Sequence, residues 1–351
     1  VEVTGKDGNN DFTIQIDKAT GYISTYTYGG HALMEQGPTP NYTRAMIDDD
    51  MYQTEDRNLY NTAEKFTVSN VTVKESAKLV EVVVTGSIAT ATPSPNTITY
   101  QIFGNGQVIV KNDVTIHSTG SIKRIGMKLN VPTEFGNFAY YGRGPWENYV
   151  DRDTASFVDL YETDVYEIDG QMKYLKPQEN GSRSDVRWAA VRNDDGVGFM
   201  IQADDHFMET SISQYEDDTM QNYRHMVDVP KAGYNVVNVD YMQRGLGGEA
   251  CGPGPLSQYS IANNSSYTHS FRIVPFASAT NEALMAESKT DFDDSAVEDI
   301  KVNGVSVPGF DPAKSEYDYQ LVKNTYTGAP TIEVELKEGA TAEFEQPTSV
   351  P

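Results

Sequence analysis

The stretch that best indicates the fold class spans residues 97–116 and reads TITYQIFGNGQVIVKNDVTI. Apolar and polar side chains alternate from Thr97 to Phe103 and again from Val108 to Ile116, which is the pattern of half-buried β-strands. The residues between these runs, Gly104-Asn105-Gly106-Gln107, are typical of a tight hairpin turn. The sequence therefore predicts two antiparallel strands joined by a short turn.

The same pattern recurs along most of the chain. Residues 12–16 alternate in the same way, and a second hairpin is indicated where Trp188 to Val191 and Val197 to Ile201 flank Asn193-Asp194-Asp195-Gly196. Glycine at the end of that turn can adopt the positive φ that such turns require. Long amphipathic helical segments are nearly absent, and the 22 Tyr and 13 Phe suit pleated surfaces. We predict an all-β protein with a large antiparallel two-sheet sandwich over residues 1–276.

The character of the chain changes after that sandwich. Residues 277–296 are small, polar and acidic, which predicts a linker with one or two helical turns. Residues 297–351 contain three short strand patterns, which are only part of a β-sandwich. The chain opens on Val1 without an initiator Met or a signal peptide, so we expect this sequence to be cut from a longer one.

Composition excludes several classes of partner. Lysine and arginine number 27 against 51 acidic residues, a formal net charge of −24, which has the wrong sign for nucleic acid or an anionic membrane surface. The acidity fits a neutral ligand such as a sugar, or an extracellular location, and selects neither. The longest apolar runs, such as Val82-Val83-Val84, are far below the roughly 20 residues that a membrane helix needs. No nucleic-acid binding and no membrane insertion are expected.

The densest polar cluster lies at residues 140–152, in a loop that two glycines and a proline hold tight. It combines aromatic rings, which stack on sugar rings, with groups that bond sugar hydroxyls. The candidate substrate-lining residues here are Tyr141, Arg143, Trp146, Glu147 and Asn148. The alternative is structural, with Arg143 and Arg152 paired to Glu147 and Asp151 to hold the loop.

Two further glycine-bearing loops carry candidate residues. Residues 176–183 place Glu179 and Asn180 in a loop between strands, or simply in an exposed Asn-Gly turn. Residues 244–255 are too glycine-rich for a strand or helix, and no Lys-Ser or Lys-Thr follows as a phosphate-binding loop would require. Close approach of backbone to a neutral ligand or to another domain is the better interpretation, with Gly248, Cys251 and Gly252 as the candidates.

Metal-binding and catalytic patterns are weak. The acidic run Asp48-Asp49-Asp50 is either a solvated loop or a site for a hard cation, without the ligand spacing of a calcium loop. The single cysteine and the five scattered histidines give no zinc spacing, so no metal site is predicted. A pair of carboxylates suited to glycoside hydrolysis cannot be singled out. We therefore predict no catalytic residue in this chain.

Several motifs in register resemble the C-terminal domain of glycoside hydrolase family 2 β-galactosidases. They are Tyr141 to Tyr149 followed by Asp151-Arg152, then Glu179-Asn180-Gly181, then Gly245-Leu246-Gly247-Gly248. Residues 42–50 are similar to the family's Arg-Ala-Pro and Asp-Asn-Asp segment, with Met46 for Pro and Asp49 for Asn. The resemblance covers roughly residues 10–276, and several motifs together are far more specific than one glycine loop.

The resemblance implies a galactose-mutarotase-like supersandwich at the mouth of an active site in another domain. The family's retaining catalytic glutamates and its Mg and Na sites lie on a (β/α)₈ barrel, and no such βα repeat is present here. This chain would help to shape the mouth and the aglycone subsite, with a galactoside or oligosaccharide as substrate and the barrel domain of the same polypeptide as partner. Where family members place a sugar-stacking Trp, this chain has Cys251-Gly252.

Residues 297–351 look like the start of an immunoglobulin-like or cadherin-like module, common in surface-displayed bacterial glycosidases. The resemblance therefore implies a bacterial protein located outside the cell or at its surface. Three alternatives stay open: a stand-alone carbohydrate-binding or adhesion module, a separately encoded small subunit, and a mutarotase-like epimerase. The last would need a histidine and a glutamate as acid and base, with His206 and His225 as the nearest candidates.

Overall fold

The structure is a computed structural model that describes residues 1–52, 57–76, 78–171, 174–248, 254–289, 297–308, 328–336 and 346–348. The chain divides into two compact units, Val1–Leu284 and Met285–Pro351. Strands dominate both units. The four α-helices in the described residues are short: α1 Thr62–Lys65, α2 Val165–Gln171, α3 Asp217–Met220 and α4 Asn281–Glu287.

The first unit contains eighteen of the described strands. The first nine are β1 Glu2–Asp7, β2 Asn10–Ile16, β3 Ile23–Tyr28, β4 His31–Met34, β5 Gln36–Asn41, β6 Phe66–Glu75, β7 Leu79–Ile88, β8 Ser94–Phe103 and β9 Val108–Ile116. The next nine are β10 Arg124–Val131, β11 Asn137–Gly144, β12 Phe157–Asp164, β13 Arg183–Val186, β14 Trp188–Arg192, β15 Gly198–Ala203, β16 Met208–Ser213, β17 Asn235–Gln243 and β18 Ser265–Phe276.

These strands form two nine-stranded antiparallel sheets. The first sheet has the order β1-β2-β3-β5-β10-β17-β16-β13, with β4 paired to β3, and the second has the order β12-β11-β14-β15-β18-β9-β8-β7-β6. The predicted all-β sandwich is therefore confirmed. Both predicted hairpins are present as β8–β9 and β14–β15, and Gly106 and Gly196 each have φ near 82° in the connecting turns.

The main core contains apolar side chains from both sheets. On β10, Ile125, Met127 and Leu129 are fully buried in this core together with Val108 and Val110 of β9. Because successive side chains of a strand point to opposite faces, Arg124, Gly126, Lys128 and Asn130 point away from it. We call this other side of the first sheet the polar face.

The polar face is itself covered. Arg124 of β10, Asp240 of β17, Glu209 of β16 and Arg183 of β13 are all less than a tenth exposed. Gly126 leaves space for Asp240, since a Cβ at this glycine would lie 2.0 Å from Asp240 Oδ1. The candidate site lies above this buried polar surface.

The second unit is described only in part. Strands β19 Val297–Val302, β20 Val305–Ser306 and β21 Ile332–Leu336 form an antiparallel sheet in the order β20-β19-β21. The immunoglobulin-like character of this unit and the domain limits at residues 276 and 297 stay predictions. Helix α4 lies within the predicted linker.

Candidate functional site

The motif segments converge on one pocket of about 240 Å³. Its walls come from the acidic run after Arg44, the loop after β11, the loop before β13 and the glycine loop after β17. The lining residues are Ile47, Asp48, Asp49, Glu147, Tyr149, Arg152, Tyr174, Gln178, Glu179, Leu246, Gly247 and Gly248. Segments up to about 200 residues apart in the chain are thus brought together, and we call this space the motif pocket.

Asn148 holds the loop that follows β11. Its amide nitrogen donates to the carbonyl oxygens of Arg143 at 3.0 Å and Trp146 at 2.9 Å. Its side-chain oxygen accepts from the backbone N–H of Ser184 at 2.9 Å and from the Ser184 hydroxyl at 2.5 Å. Glu147 then reaches the next loop, because its carboxylate accepts from the Gly181 N–H at 2.8 Å.

Asp151 fixes the glycine loop on the opposite wall. Its two carboxylate oxygens accept the backbone N–H groups of Leu246 at 2.9 Å and Gly247 at 2.8 Å. Gly245 must be glycine for this approach, since a Cβ there would lie 2.5 Å from Asp151 Oδ2. One carboxylate thus ties two motif segments together.

A cation-rich cluster surrounds Asp50 beneath the pocket. Arg44 lies 2.9 Å from Asp50, and Lys123 and Arg244 approach the same carboxylate at 3.1 and 3.2 Å. Burial by itself would raise the pKa of Asp50, but the charges of Arg44 and Lys123 hold it at about 2. Asp50 is therefore ionised and already paired.

A carboxylate-rich cluster lies beside it, around the fully buried Arg124. Its guanidinium is 3.0 Å from Glu179, 2.5 Å from Asp217 and 3.0 Å from Asp240. Burial outweighs the attraction of Arg124 and raises the pKa of Glu179 to about 7. Burial likewise raises the pKa of Glu209 to about 7 and that of Asp240 well above its ordinary value. Burial is thus the common cause of the raised pKa values of Glu179, Glu209 and Asp240.

Unpaired acceptor atoms belong to two of the residues that line the motif pocket, Asp49 and Glu179. Asp49 is only 2% exposed, and neither of its carboxylate oxygens has a hydrogen-bond partner among the described residues. Within the same part of the chain, Oε1 of Glu179 has no hydrogen-bond partner, although Oε2 contacts Arg124. A buried acceptor without a donor is costly, so these atoms are suited to a ligand that supplies donors.

The predicted site residues separate into two groups. Glu147, Glu179 and Gly248 line the pocket. Asn148 is fully buried in the hydrogen bonds that shape its loop, and Asn180 donates to the carbonyl oxygen of its neighbour Gln178 at 2.9 Å.

The remaining predicted residues lie elsewhere. Arg143 pairs with Asp185 at 2.5 Å and Asp153 at 3.7 Å, and not with the carboxylates that its own loop suggested. Trp146 is 64% exposed, and Tyr141 lies under the guanidinium of Arg187 at 5.7 Å. Cys251 and Gly252 lie outside the described residues.

Sequence reasoning missed several residues of the site. Tyr149, Arg152, Tyr174 and Gln178 line the pocket, and Arg124 lies under it. Tyr149 and Arg152 belong to the polar cluster at residues 140–152. Their position in that cluster could have identified them as candidates from the sequence. No local sequence pattern identifies Arg124 as a site residue, because its partner Asp217 is 93 residues away in the chain.

The sequence also raised two other possibilities, a cation site at the acidic run and an epimerase with a catalytic histidine. Within the described residues, no group of three or more His, Cys, Asp or Glu side chains is arranged to hold a metal ion. The histidine candidates lie away from the motif pocket: His206 contacts Asp205 and packs on Tyr241, and His225 precedes a 3₁₀ turn at Met226–Asp228.

None of the helices in the described part of the chain has the length and apolar character needed to cross a bilayer.

The fold and the pocket define a large β-sandwich domain with a polar, acceptor-rich cavity. The family described as the β-galactosidase small chain matches residues 8–273, and this chain belongs to it. A β-galactosidase of Priestia megaterium is 30% identical over 274 residues, which are 76% of this chain and 26% of that protein. A β-galactosidase of Halalkalibacterium halodurans is 27% identical over 70% of this chain and 25% of its own length. The chain therefore spans about a quarter of these relatives.

The solved structures that match this chain are more distant in sequence. A galactose 1-epimerase from Lactobacillus acidophilus matches 79% of this chain and 95% of its own, with 6% identity and a TM-score of 0.46. An aldose epimerase homologue from C. elegans matches 80% of this chain and 99% of its own, with 9% identity and a TM-score of 0.45.

Proposed function

We propose that this chain is a non-catalytic domain of a multidomain β-galactosidase that hydrolyses terminal β-D-galactosides. The family membership and the quarter-length match to named β-galactosidases support this proposal. In it, the motif pocket shapes the active-site mouth and the aglycone subsite. The catalytic glutamates of a retaining mechanism and the Mg and Na sites belong to a barrel elsewhere in the same polypeptide. The proposal also locates the protein at the bacterial cell surface or outside the cell.

The observation that carries the role of the pocket is the buried carboxylate of Asp49. Its oxygens lack donors within the described residues, and sugar hydroxyls are donors. Arg152 and the backbone N–H of Gly248 line the same space and can donate to the oxygens of those hydroxyls. A neutral saccharide would thus satisfy the acceptors without adding charge to a strongly acidic protein.

The non-catalytic role is tested by activity. We expect the 351-residue chain to show no turnover of a chromogenic β-galactoside, and the longer protein that contains it to show turnover. Robust hydrolysis by the 351-residue chain, retained after removal of contaminating enzyme, would contradict the proposal.

The pocket is tested by Asp49→Asn in the longer protein. Because a hydrogen bond to a charged group contributes about 1.5–3 kcal/mol, we expect kcat/KM for lactose to fall at least about tenfold, mainly through KM. Asp195→Asn, in the exposed turn between β14 and β15, is the matched control and should leave both constants unchanged. An unchanged KM for Asp49→Asn with an intact fold would remove this residue from the subsite.

A stand-alone carbohydrate-binding role is the second candidate, because Trp146 exposes 64% of its surface on the loop beside Glu147. An exposed indole is a suitable platform for a sugar ring. Calorimetric titration of the 351-residue chain with galactose, lactose and longer glycans tests it. Submillimolar affinity that disappears in Trp146→Ala would favour the binding module, and no binding that depends on Trp146 would reject it.

A further inference from the structure

A second cavity of about 450 Å³ lies on the polar face of the first sheet, away from the motif segments. It is formed by β5, β10, the loop before β3, helix α1 with the start of β6, helix α3 and the residue before β17, and none of its lining residues lines the motif pocket. The lining residues are Ala19, Thr20, Tyr22, Gln36, Thr39, Pro40, Asn41, Asn61, Thr62, Ala63, Glu64, Phe66, Lys128, Asn130, Glu216, Asp218, Thr219 and Tyr234. We call this space the strand pocket.

The two pockets are distinct spaces that share no lining residue. Their walls meet at Arg124, which contacts Glu179 of the motif pocket and also Asp217, the residue between Glu216 and Asp218 of the strand pocket.

One wall of the strand pocket is held in place by its own hydrogen bonds. Glu216 accepts from Lys128 Nζ at 2.5 Å and from the Tyr234 hydroxyl at 2.8 Å. Asp218, two residues further on, accepts the backbone N–H of Asn61 at 3.3 Å through Oδ2. The charged groups that face the cavity are thus positioned before any ligand arrives, which lowers the entropic cost of binding.

One acceptor in this wall has no protein partner. Oδ1 of Asp218 is buried and makes no hydrogen bond with any residue that the structure describes. The side chains of Gln36, Asn130 and Thr219 line the same cavity and add donors and acceptors. Tyr22 and Phe66, stacked with ring centroids 5.8 Å apart, contribute aromatic surface.

The charge of the lining selects the class of ligand. Three acidic residues, Glu64, Glu216 and Asp218, face one lysine, Lys128, so an anion is disfavoured. A metal cation would use acceptors alone. The amides, hydroxyls and ammonium group of this lining supply donors as well as acceptors, which suits a ligand with hydroxyl groups better than a metal ion. The volume is within the range of about 300–1,000 Å³ usual for small-molecule sites.

We propose that the strand pocket is a second saccharide-binding site, which takes a neutral hexose or the end of a neutral oligosaccharide. The carboxylate of Asp218 accepts a sugar hydroxyl, and Asn130 with Thr219 contacts its neighbours. This site is independent of the motif pocket and does not require that the domain be part of a galactosidase.

The test is calorimetric titration of the 351-residue chain with galactose, glucose and lactose, with glycerol as a control for unspecific polyol binding. We expect saturable binding of at least one sugar with Kd of order 1 mM. Asp218→Asn and Asn130→Ala should each weaken it at least about fivefold, since each removes one or two hydrogen bonds. Circular dichroism and urea unfolding check that both variants fold.

Asp195→Asn, in the exposed turn between β14 and β15, is the matched control and should retain this binding. Absence of saturable binding by the wild-type chain would overturn the proposal. Binding that is lost in Asp49→Asn or Trp146→Ala and retained in Asp218→Asn and Asn130→Ala would also overturn it, because the sugar would then occupy the motif pocket or its rim.

Discussion

Glu209 shows how one side chain can make this fold sensitive to pH. It is 7% exposed on β16, opposite Asp240 of β17, and one of its oxygens accepts the Gln243 N–H at 3.1 Å. Burial raises its pKa from 4.5 to about 7. The folded protein therefore keeps a proton on Glu209 at pH values where the unfolded chain has released it.

We expect Glu209→Gln to remove this linkage. A raised carboxyl pKa contributes stability that is present below pH 4.5 and is lost as pH rises through about 7. The free energy of unfolding of the wild type should therefore fall relative to the variant across this interval, by up to about 1.4 kcal/mol per pH unit. Urea unfolding at a series of pH values measures both curves.

The exposed Glu75, at the end of β6, provides the matched control. Glu75→Gln should follow the wild-type curve at every pH. If the wild type and Glu209→Gln run parallel between pH 4.5 and about 7, then Glu209 does not titrate with the raised pKa.

At the scale of elements, β10 shows what alternation can and cannot predict. In the strand Arg124–Val131, the apolar side chains of Ile125, Met127 and Leu129 lie in the core between the sheets. The same pattern predicts that the polar face meets water. Arg124 is instead fully buried, because loops from distant parts of the chain cover it, and Asp217 is 93 residues away.

The motif loops show the same limit. Their glycines and polar residues identified segments that the structure brings to one pocket, but not which side chains line it. Glu147 lines the pocket, whereas its neighbour Asn148 points into the loop and bonds to Arg143, Trp146 and Ser184. Adjacent residues of similar polarity can take opposite roles, since the backbone direction in an irregular loop is set by contacts that local sequence does not contain.

The glycine loop after β17 gives a prediction at this scale. Asp151→Ala removes both carboxylate contacts to the N–H groups of Leu246 and Gly247. We expect hydrogen exchange at these two amides to become at least about tenfold faster, since each lost bond to a charged group is worth about 1.5–3 kcal/mol. Exchange followed by mass spectrometry or NMR measures the effect.

Asp195→Ala, in an exposed turn remote from this loop, is the control and should leave the exchange at both amides unchanged. Unchanged exchange in Asp151→Ala would mean that other contacts hold the loop. A uniform acceleration across all strands would indicate global destabilisation instead of a local effect.

Across the described residues, buried basic and acidic side chains are similar in number. Six buried arginine and lysine side chains accompany five buried aspartates and glutamates, and burial raises the pKa of three of the five, Glu179, Glu209 and Asp240. The net charge of −24 is therefore carried by side chains outside this buried set. Charges at the surface are screened over about 10 Å at 0.1 M ionic strength, whereas buried pairs are screened much less.

The division into two units gives a prediction for the whole chain. Both nine-stranded sheets lie within Val1–Leu284, so a chain that ends at Lys289, after α4, should fold by itself. We expect its main cooperative unfolding transition in urea to have the same midpoint as that of the 351-residue chain. A chain that ends at Met242 loses β18 from the middle of the second sheet and should not fold, which makes it the contrasting control. Loss of the cooperative transition in the chain that ends at Lys289 would contradict this expectation.

The ion pairs on the polar face also decide how strands can be aligned. A slip of one residue between β10 and β17 would turn Arg124 and Lys128 into the apolar space between the sheets and turn Ile125 and Met127 out of it. A mispaired sheet would then hold two charges without partners in an apolar interior, where each costs several kcal/mol. A nine-stranded sheet made of valine and isoleucine alone could tolerate many alignments. Charged residues along one face therefore disfavour a shifted alignment of β10 and β17.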